Sequence, residues 1–377
     1  MKKTFLFLLP FLLFQCTSKT DNSSERAFYY WKTTMDFDKT SDSLANDLNL
    51  KTIYVRYFDV DWSPSYKDAI PVGILNENDW EGKAHFKNKK VIPTVFITNK
   101  TFRKLDEKGM ERLAENLSKK IEQVNEKFES WYVDAMVEFD DFKDSTNTGE
   151  TYRKYRKAEN AIFQTMISEI QIDCDWTEST RDNFFQFLEL LKPKLNGKTL
   201  SCTVRLHQYR DRKLMGIPPV DRGLLMCYNV GNVQQLTTKN AILDAEIVKQ
   251  YLKGKTYPIK LDIGLPIFSW AAWYRGNEFK GIVSGWNEVD AENQNLYKET
   301  SNHRYFLEAD TVIGDNYLRE GDLLRWDNGF ENEMTETIAL LKANLDLSGI
   351  RIAFFDWEAE KVKRHRSEIE GYYLEFE

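Results

Sequence analysis

Two hydrophobic patterns alternate along the chain: short runs rich in β-branched and aromatic residues, and stretches with apolar positions three and four residues apart. The short runs predict eight strands, at residues 27–33, 52–59, 90–98, 170–176, 200–209, 223–229, 259–268 and 350–357. The other stretches predict helices at residues 41–48, 106–128, 180–191, 243–252 and 333–345. Eight alternating strand–helix units close into a barrel. The predicted fold is therefore α/β, a (β/α)8 TIM barrel.

Two segments fall outside this alternation. Residues 130–156 come before the fourth predicted strand, and residues 276–330 separate the seventh strand from the eighth. We interpret both as insertions on the barrel rather than as further domains. No glycine-rich phosphate loop follows the first strand, so the pattern does not favour a nucleotide-binding sheet.

Polar residues alternate with apolar ones in the fourth and fifth predicted strands. Side chains of a strand alternate between its two faces, and helices cover the outside of this fold. The polar set should therefore point into the barrel: Gln171, Asp173, Asp175 and Thr177, then Thr203, Arg205, His207 and Tyr209. Buried charges occur in pairs, which is compatible with a purely structural ion-pair layer. Their place near the carboxyl ends of the strands favours a functional pocket.

Four segments carry motifs on predicted strands four, six, seven and eight. They are IQIDCDWTE at residues 170–178, LMCYN at 225–229, KLDIGLPIFSW at 260–270, and Trp357. Together they resemble the chitinase-type barrels of glycoside hydrolase family 18, which carry D-x-x-D-x-D-x-E on strand four. The resemblance covers roughly residues 165–360, and it is remote. It implies a glycan as partner and a pocket above the later strands.

The resemblance implies roles for individual residues. Asp175 would hold the acetamide group of an N-acetyl sugar, with Asp173 as its supporting neighbour and Tyr228 as a hydroxyl donor. Trp357 corresponds to the tryptophan that floors the sugar subsite. Residues that would line the substrate beside them are Arg205, His207, Asn229 and Trp270.

The catalytic motif is degenerate at two positions. Ile170 stands where the family has its first aspartate, and Thr177 stands where it has the catalytic glutamate. Glu178 comes one residue later, as a displaced general acid. A threonine hydroxyl does not titrate near neutral pH, so it cannot serve as that acid. Three outcomes stay open: Glu178 turns inward, another carboxyl substitutes, or hydrolysis is lost.

Other carboxylates lie at or near predicted strand ends. Asp356 and Glu358 follow strand eight, and Asp59 and Asp61 follow strand two. Each of them is compatible with an acid of the site and with a solvated loop charge. Asp262 lies in the middle of strand seven, nearer the barrel floor.

The composition limits the other function classes. The formal net charge is −7, which argues against a nucleic-acid partner. Four scattered histidines and three well-separated cysteines beyond Cys16 predict no metal site, and no motif indicates a cofactor. Cys174, Cys202 and Cys227 lie in strand-like runs, so we expect small buried side chains, with one disulfide left open. Aromatic residues make up 14% of the chain, which fits either a large core or a groove for sugar rings.

The first residues have the pattern of an export signal. Two lysines precede an apolar run at residues 5–14, which is too short to span a membrane, and Cys16 follows. A bacterial lipoprotein signal has leucine three residues before its lipidated cysteine and small residues between. Leu13 fits, whereas Phe14 and Gln15 depart. We expect a signal peptide at 1–15, a tether at 16–26 and a barrel domain at 27–377, although cleavage elsewhere is the alternative.

These features predict a lipid-anchored barrel of the bacterial cell envelope, outside the cytoplasm. Its contact with the membrane would be the lipid on Cys16 alone. The expected function is glycan recognition, with hydrolysis of glycosidic bonds left open. The alternatives are a non-catalytic glycan-binding lipoprotein and a structural or assembly lipoprotein with a vestigial pocket.

Overall fold

A computed structural model gives the fold of most of the chain. It describes residues 24–77, 86–139, 149–252, 256–283, 286, 288–291, 293, 295–301, 303–330 and 332–377. The predicted signal peptide, Cys16 and most of the predicted tether lie outside these ranges. In the part of the chain that is described, no helix is long and apolar enough to cross a membrane.

Eight parallel strands close into a barrel. In chain order they are β1 Glu25–Tyr30, β2 Thr52–Ser63, β3 Lys90–Ile97, β4 Glu169–Asp173, β5 Thr199–Arg205, β6 Arg222–Met226, β7 Leu261–Pro266 and β8 Arg351–Phe355. Each strand pairs with its sequence neighbour, and β1 also pairs with β8, which closes the sheet. The eight predicted strands and the TIM-barrel prediction are thereby confirmed.

Helices connect the strands and surround the barrel. They are α1 Lys39–Asp47, α2 Asn99–Lys104, α3 Glu107–Phe139, α4 Gly149–Met166, α5 Arg181–Leu191, α6 Leu206–Arg210, α7 Arg212–Met215, α8 Ala245–Leu252, α9 Glu288–Ala291, α10 Asn332–Asn344, α11 Ala359–Arg364 and α12 Arg366–Phe376. The described parts of the predicted insertion before β4 are helical: residues 130–139 form the end of α3, and residues 149–156 form the first two turns of α4. Helix α3 ends at Phe139, eleven residues beyond the predicted end at residue 128, because its amphipathic spacing continues that far.

The segment between β7 and β8 forms a small sheet above the barrel. Five antiparallel strands lie in the order Glu278–Val283, Ser269–Arg275, Leu323–Asn328, Arg304–Leu307 and Tyr297–Ser301. We call it the insertion sheet. Its first strand in the chain starts only three residues after β7 ends, so the insertion begins earlier than the predicted residue 276. The insertion sheet is fastened to the loop after β6, because Arg325 donates to the carbonyl of Gln235 at 2.6 Å.

The barrel interior is filled in layers from its amino-terminal end. At the floor, Asp262 pairs with Arg222, and Arg351 contacts Glu169 at 2.8 Å. The next layer contains Tyr29, whose hydroxyl donates to Gln171 at 2.6 Å. These layers close the lower part of the barrel. Any site inside it must therefore open at the carboxyl ends of the strands.

Candidate binding site at the mouth of the barrel

Asp173 is the last residue of β4 and the first charged group below the mouth. It follows Gln171 on the inward face, as the alternation of side chains predicts, and is 9% exposed. The Thr203 hydroxyl donates to its carboxylate at 2.6 Å. Burial raises the pKa of Asp173 to about 6, and the nearby carboxylate of Asp175 adds to this rise. The group is therefore poised to exchange a proton close to neutral pH.

Tyr228 lies two residues beyond β6 and fills the interior beside Asp173. Its hydroxyl is buried and has no hydrogen-bond partner among the described residues. Burial raises its pKa far above the usual value, and the Asp173 carboxylate adds to the rise. Gly264 on β7 lies beside the ring and makes room for Leu224: a Cβ there would lie 2.8 Å from Leu224 Cδ2, whereas its distance of 3.5 Å from Tyr228 Cε1 would be an ordinary contact.

Asp175 lies at the rim and is held by Arg205. The Nε and Nη2 atoms of Arg205 donate to the two carboxylate oxygens of Asp175, at 2.5 and 2.8 Å. The Arg205 side chain is 25% exposed and that of Asp175 is 44% exposed, so solvent reaches this pair. The two residues come together as predicted from adjacent strands, but both oxygens of Asp175 are already engaged.

His207 is not an inward residue of a strand, contrary to the sequence analysis. The fifth strand ends at Arg205, and His207 lies on the short helix α6. It still borders the rim: partial burial lowers its pKa, and the neighbouring Arg205 charge lowers it further. Tyr209, predicted on the same inward face, instead stacks on Tyr257 outside the barrel, with ring centroids 5.5 Å apart.

Four partly exposed aromatic rings cross the mouth from β1 to the insertion sheet. We call them the aromatic row: Trp31, Phe355, Phe268 and Trp270. Successive ring centroids are 5.7, 5.8 and 5.4 Å apart. The Tyr228 ring stacks beneath Phe355 at 5.5 Å, so the row lies beside the buried Tyr228 hydroxyl. The Trp270 indole is fixed by donating to Asp327 at 3.1 Å.

Trp357 does not belong to this surface, which corrects the predicted subsite floor. It is 2% exposed and packs against Phe28 and Phe37, in the core between barrel and helices. The strand β8 ends at Phe355, and the backbone N–H of Trp357 donates to the carbonyl of Tyr29 at 2.8 Å. Phe355 therefore supplies the ring at this strand end that the sequence analysis assigned to Trp357.

Glu178 and Asn229 lie apart from the buried groups. Glu178 is exposed in the turn before α5, and its charge acts on Arg181. Asn229 is exposed, with its backbone N–H bonded to the carbonyl of Ile242 at 2.7 Å. No described contact joins Glu178 to Asp173 or Asp175. The outcome in which Glu178 turns inward is thus not the arrangement of this structure.

Two of the weaker candidates from the sequence, Asp59 and Asp356, lie at the mouth, together with Arg56, which the sequence analysis did not name. Arg56 forms an ion pair with Asp59, and its guanidinium lies 5.6 Å from the centroid of the Trp31 ring. A bulge after Arg56 turns Asp59 toward Asp173, whose pKa it helps to raise. Asp356 follows β8, where burial raises its pKa. The other carboxylates named from the sequence are peripheral: Asp61 accepts from Thr98 at 2.7 Å, and Glu358 is exposed.

The site thus combines the buried Asp173 carboxyl, the buried Tyr228 hydroxyl and the aromatic row. At the rim is the Arg205–Asp175 ion pair, in which both carboxylate oxygens already accept hydrogen bonds. Among the described residues, no three histidine, cysteine, aspartate or glutamate side chains are grouped to hold a metal ion. The three described cysteines are free and buried.

The fold and this mouth define a (β/α)8 barrel with an aromatic-lined site at the carboxyl ends of its strands. No family model matches the chain, and no curated protein is similar to it in sequence. Among solved structures it is similar to the spore cortex-lytic enzyme SleL of Bacillus cereus, with 15% identity and a TM-score of 0.45. That match covers 94% of this chain and 74% of SleL.

It is also similar to a fungal endo-β-N-acetylglucosaminidase of glycosyl hydrolase family 18, with 8% identity and a TM-score of 0.41. This match covers 93% of this chain and 96% of the fungal enzyme. The second of these matches is of the glycoside hydrolase family that the sequence analysis named as a remote resemblance.

Proposed function

We propose that the chain binds a glycan across the mouth of its barrel and does not hydrolyse it efficiently. The aromatic row beside the buried Asp173 and Tyr228 supports this proposal. Small-molecule sites are largely apolar and aromatic, with a few polar groups that fix orientation. Partly exposed rings offer flat apolar faces to sugar rings, and the unpartnered hydroxyl of Tyr228 is buried beside them.

The arrangement of the acids argues against efficient hydrolysis. A general acid must reach the leaving oxygen within hydrogen-bond distance and needs a suitable pKa. Thr177 has no titratable group, and Glu178 is exposed outside the mouth. Asp175 accepts two hydrogen bonds from Arg205, so its oxygens are not free to orient a substrate group.

Slow hydrolysis is the second candidate, and one observation favours it. Asp356 lies directly after Phe355, and burial raises its pKa, which is the tuning of a general acid. Its charge also acts on Tyr228. In this alternative, Asp356 would replace the missing glutamate. Turnover abolished by Asp356→Asn, with binding retained, would support it.

A glycan array on the full-length chain tests the main proposal. We expect binding to at least one oligosaccharide class, weakened tenfold or more by Trp31→Ala and by Phe355→Ala. Tyr152→Ala is the matched control, because this ring is 40% exposed on α4, away from the mouth. If no glycan binds, or if Tyr152→Ala weakens binding as much, the proposal is wrong and a structural or assembly role is favoured.

We further propose that the chain is a lipoprotein of the bacterial envelope, anchored outside the cytoplasm through Cys16. The support is the amino-terminal sequence: two lysines, an apolar run at 5–14 and a polar stretch after the cysteine. Such an anchor would hold the barrel near extracytoplasmic glycans.

A further inference from the structure

The arginines at the mouth are each neutralised by one carboxylate. Arg205 engages both oxygens of Asp175, and Arg56 engages both oxygens of Asp59. A guanidinium that forms two parallel hydrogen bonds to one carboxylate matches it in charge and geometry. These four groups therefore contribute little net charge to a ligand at the mouth.

Two further carboxyls remain without such a partner. No cation in the described part of the chain forms an ion pair with Asp173, whose polar contact is the neutral Thr203 hydroxyl. The charge of Arg205 acts on Asp173 from nearby, but its guanidinium is bonded to Asp175. Asp356 is in a similar position. The lysines that act on it pair elsewhere: Lys361 lies 3.5 Å from Glu358, and Lys32 lies 2.9 Å from Asp36. The mouth thus has unbalanced negative charge, and a buried carboxylate without a countercharge is costly.

Aromatic rings cluster around Phe355, the residue before Asp356, and two of them, Tyr29 and Tyr228, are near enough to Asp173 for its charge to raise their pKa. Tyr29, Trp31 and Tyr228 each lie within 6 Å of Phe355, measured between ring centroids. Ring faces attract cations, and aromatic cages recognise ammonium groups. The Tyr228 hydroxyl is an independent sign of a ligand, because the residue is 3% exposed and its oxygen has no described partner. A hydroxyl oxygen can accept a hydrogen bond from an ammonium group.

We infer that the ligand is an amino sugar with a free, protonated amine, which binds between Asp173 and Tyr228 while its ring lies on the aromatic row. This inference rests on the proposed glycan binding and specifies its substrate class. The ammonium group supplies a positive charge to pair with the Asp173 carboxylate. It donates hydrogen bonds to a carboxylate oxygen of Asp173 and to the hydroxyl oxygen of Tyr228. An N-acetylated sugar has no charge to offer Asp173, and its larger acetamide group must enter where Asp173 is only 9% exposed.

Calorimetry on the full-length chain separates these ligands. Three probes of equal length and β-1,4 linkage are compared at about pH 6.5, just above the pKa of Asp173: oligomers of glucosamine, of N-acetylglucosamine and of glucose. We expect the glucosamine oligomer to bind at least tenfold more tightly than the other two. Asp173→Asn should remove this preference, so that the three oligomers bind with similar affinity.

Asp346→Asn is the control, since this exposed carboxylate lies in the loop before β8, at the opposite end of the barrel. It should change none of the three affinities. The inference is overturned if the N-acetylated or neutral oligomer binds equally well, or if the preference survives Asp173→Asn, while glycan binding itself stands. Absence of binding by all three probes contradicts both this inference and the proposed function.

Discussion

Arg205 places its guanidinium against the carboxylate of Asp175 and beside Asp173. The Arg205 charge lowers the pKa of Asp173, opposing burial and the neighbouring carboxylates. The pair therefore sets both the shape of the rim and the proton affinity of the group below it.

Replacing Arg205 by glutamine should raise the pKa of Asp173 above its value of about 6, because the favourable cation is lost and the Asp175 carboxylate remains. A carboxyl-carbon NMR titration of the full-length chain measures this directly. Arg210→Gln is the control, since Arg210 pairs with Asp211 on the surface. An unchanged or lower pKa for Asp173 in the Arg205 variant would contradict the assigned geometry.

Asp173 should make the protein less stable as the pH rises from about 4 to about 6. The folded chain retains the proton up to a pH of about 6, whereas the unfolded chain releases it near 3.8. The folded state thus binds more protons in this window, and the free energy of unfolding falls as pH rises. The loss from this group is on the order of 3 kcal/mol.

Asp173→Asn should abolish that contribution and increase stability at pH 7, because no buried charge has to form. Thr203 can still donate to the amide oxygen, so the hydrogen bond is retained. Urea unfolding at pH 4, 5, 6 and 7 tests this for both proteins. A variant that keeps the wild-type decline, or is less stable at pH 7, would show that Asp173 is not the responsible group.

Glu178→Gln should leave both glycan binding and any turnover unchanged, because Glu178 is exposed in the turn before α5. Chromogenic oligomers of N-acetylglucosamine provide the assay, and we expect turnover to be weak or absent in the unmodified chain. Robust hydrolysis that disappears with this single substitution would show that Glu178 moves into the mouth when substrate binds.

Phe355→Ala should mainly weaken glycan binding, whereas Trp357→Ala should mainly lower the stability of the fold. Trp357 is 2% exposed in the core, so its loss should cost about 3–5 kcal/mol of unfolding free energy. At temperatures where that variant stays folded, its glycan preference should be unchanged. Phe355→Ala should weaken glycan binding tenfold or more at a smaller loss of stability. Denaturant curves and calorimetry on the two variants decide this, and the reverse pattern would restore Trp357 as the subsite floor.

Cys16→Ala should move the protein from the membrane fraction to the soluble fraction of cells. Each buried methylene of an attached lipid contributes about 0.8 kcal/mol to membrane binding, so losing the chain removes the anchor. Cys174→Ala is the control for cysteine loss, as this thiol is buried beside β4. Unchanged fractionation of the Cys16 variant would refute lipid anchoring.

The sequence by itself determined the barrel and its inward face. Strand spacing and the alternation of side chains are local properties, so they gave all eight strands and placed Asp173 inside. They also brought Asp175 next to Arg205, because the carboxyl ends of neighbouring parallel strands meet at one edge. Asp262, predicted in the middle of the seventh strand and nearer the barrel floor, follows the same rule, since it pairs with Arg222 there.

Only the tertiary structure decided which groups reach the ligand surface. Side chains alternate in direction only as far as the strand continues. Because β4 ends at Asp173 and β8 ends at Phe355, alternation does not set the directions of the Glu178 and Trp357 side chains. A single bulge in β2 turned Asp59 inward. Beyond the last ladder hydrogen bond, side-chain direction is set by packing against distant elements, such as Trp357 on Phe28 and Phe37. Those contacts are absent from any local pattern, because they depend on how the whole barrel closes.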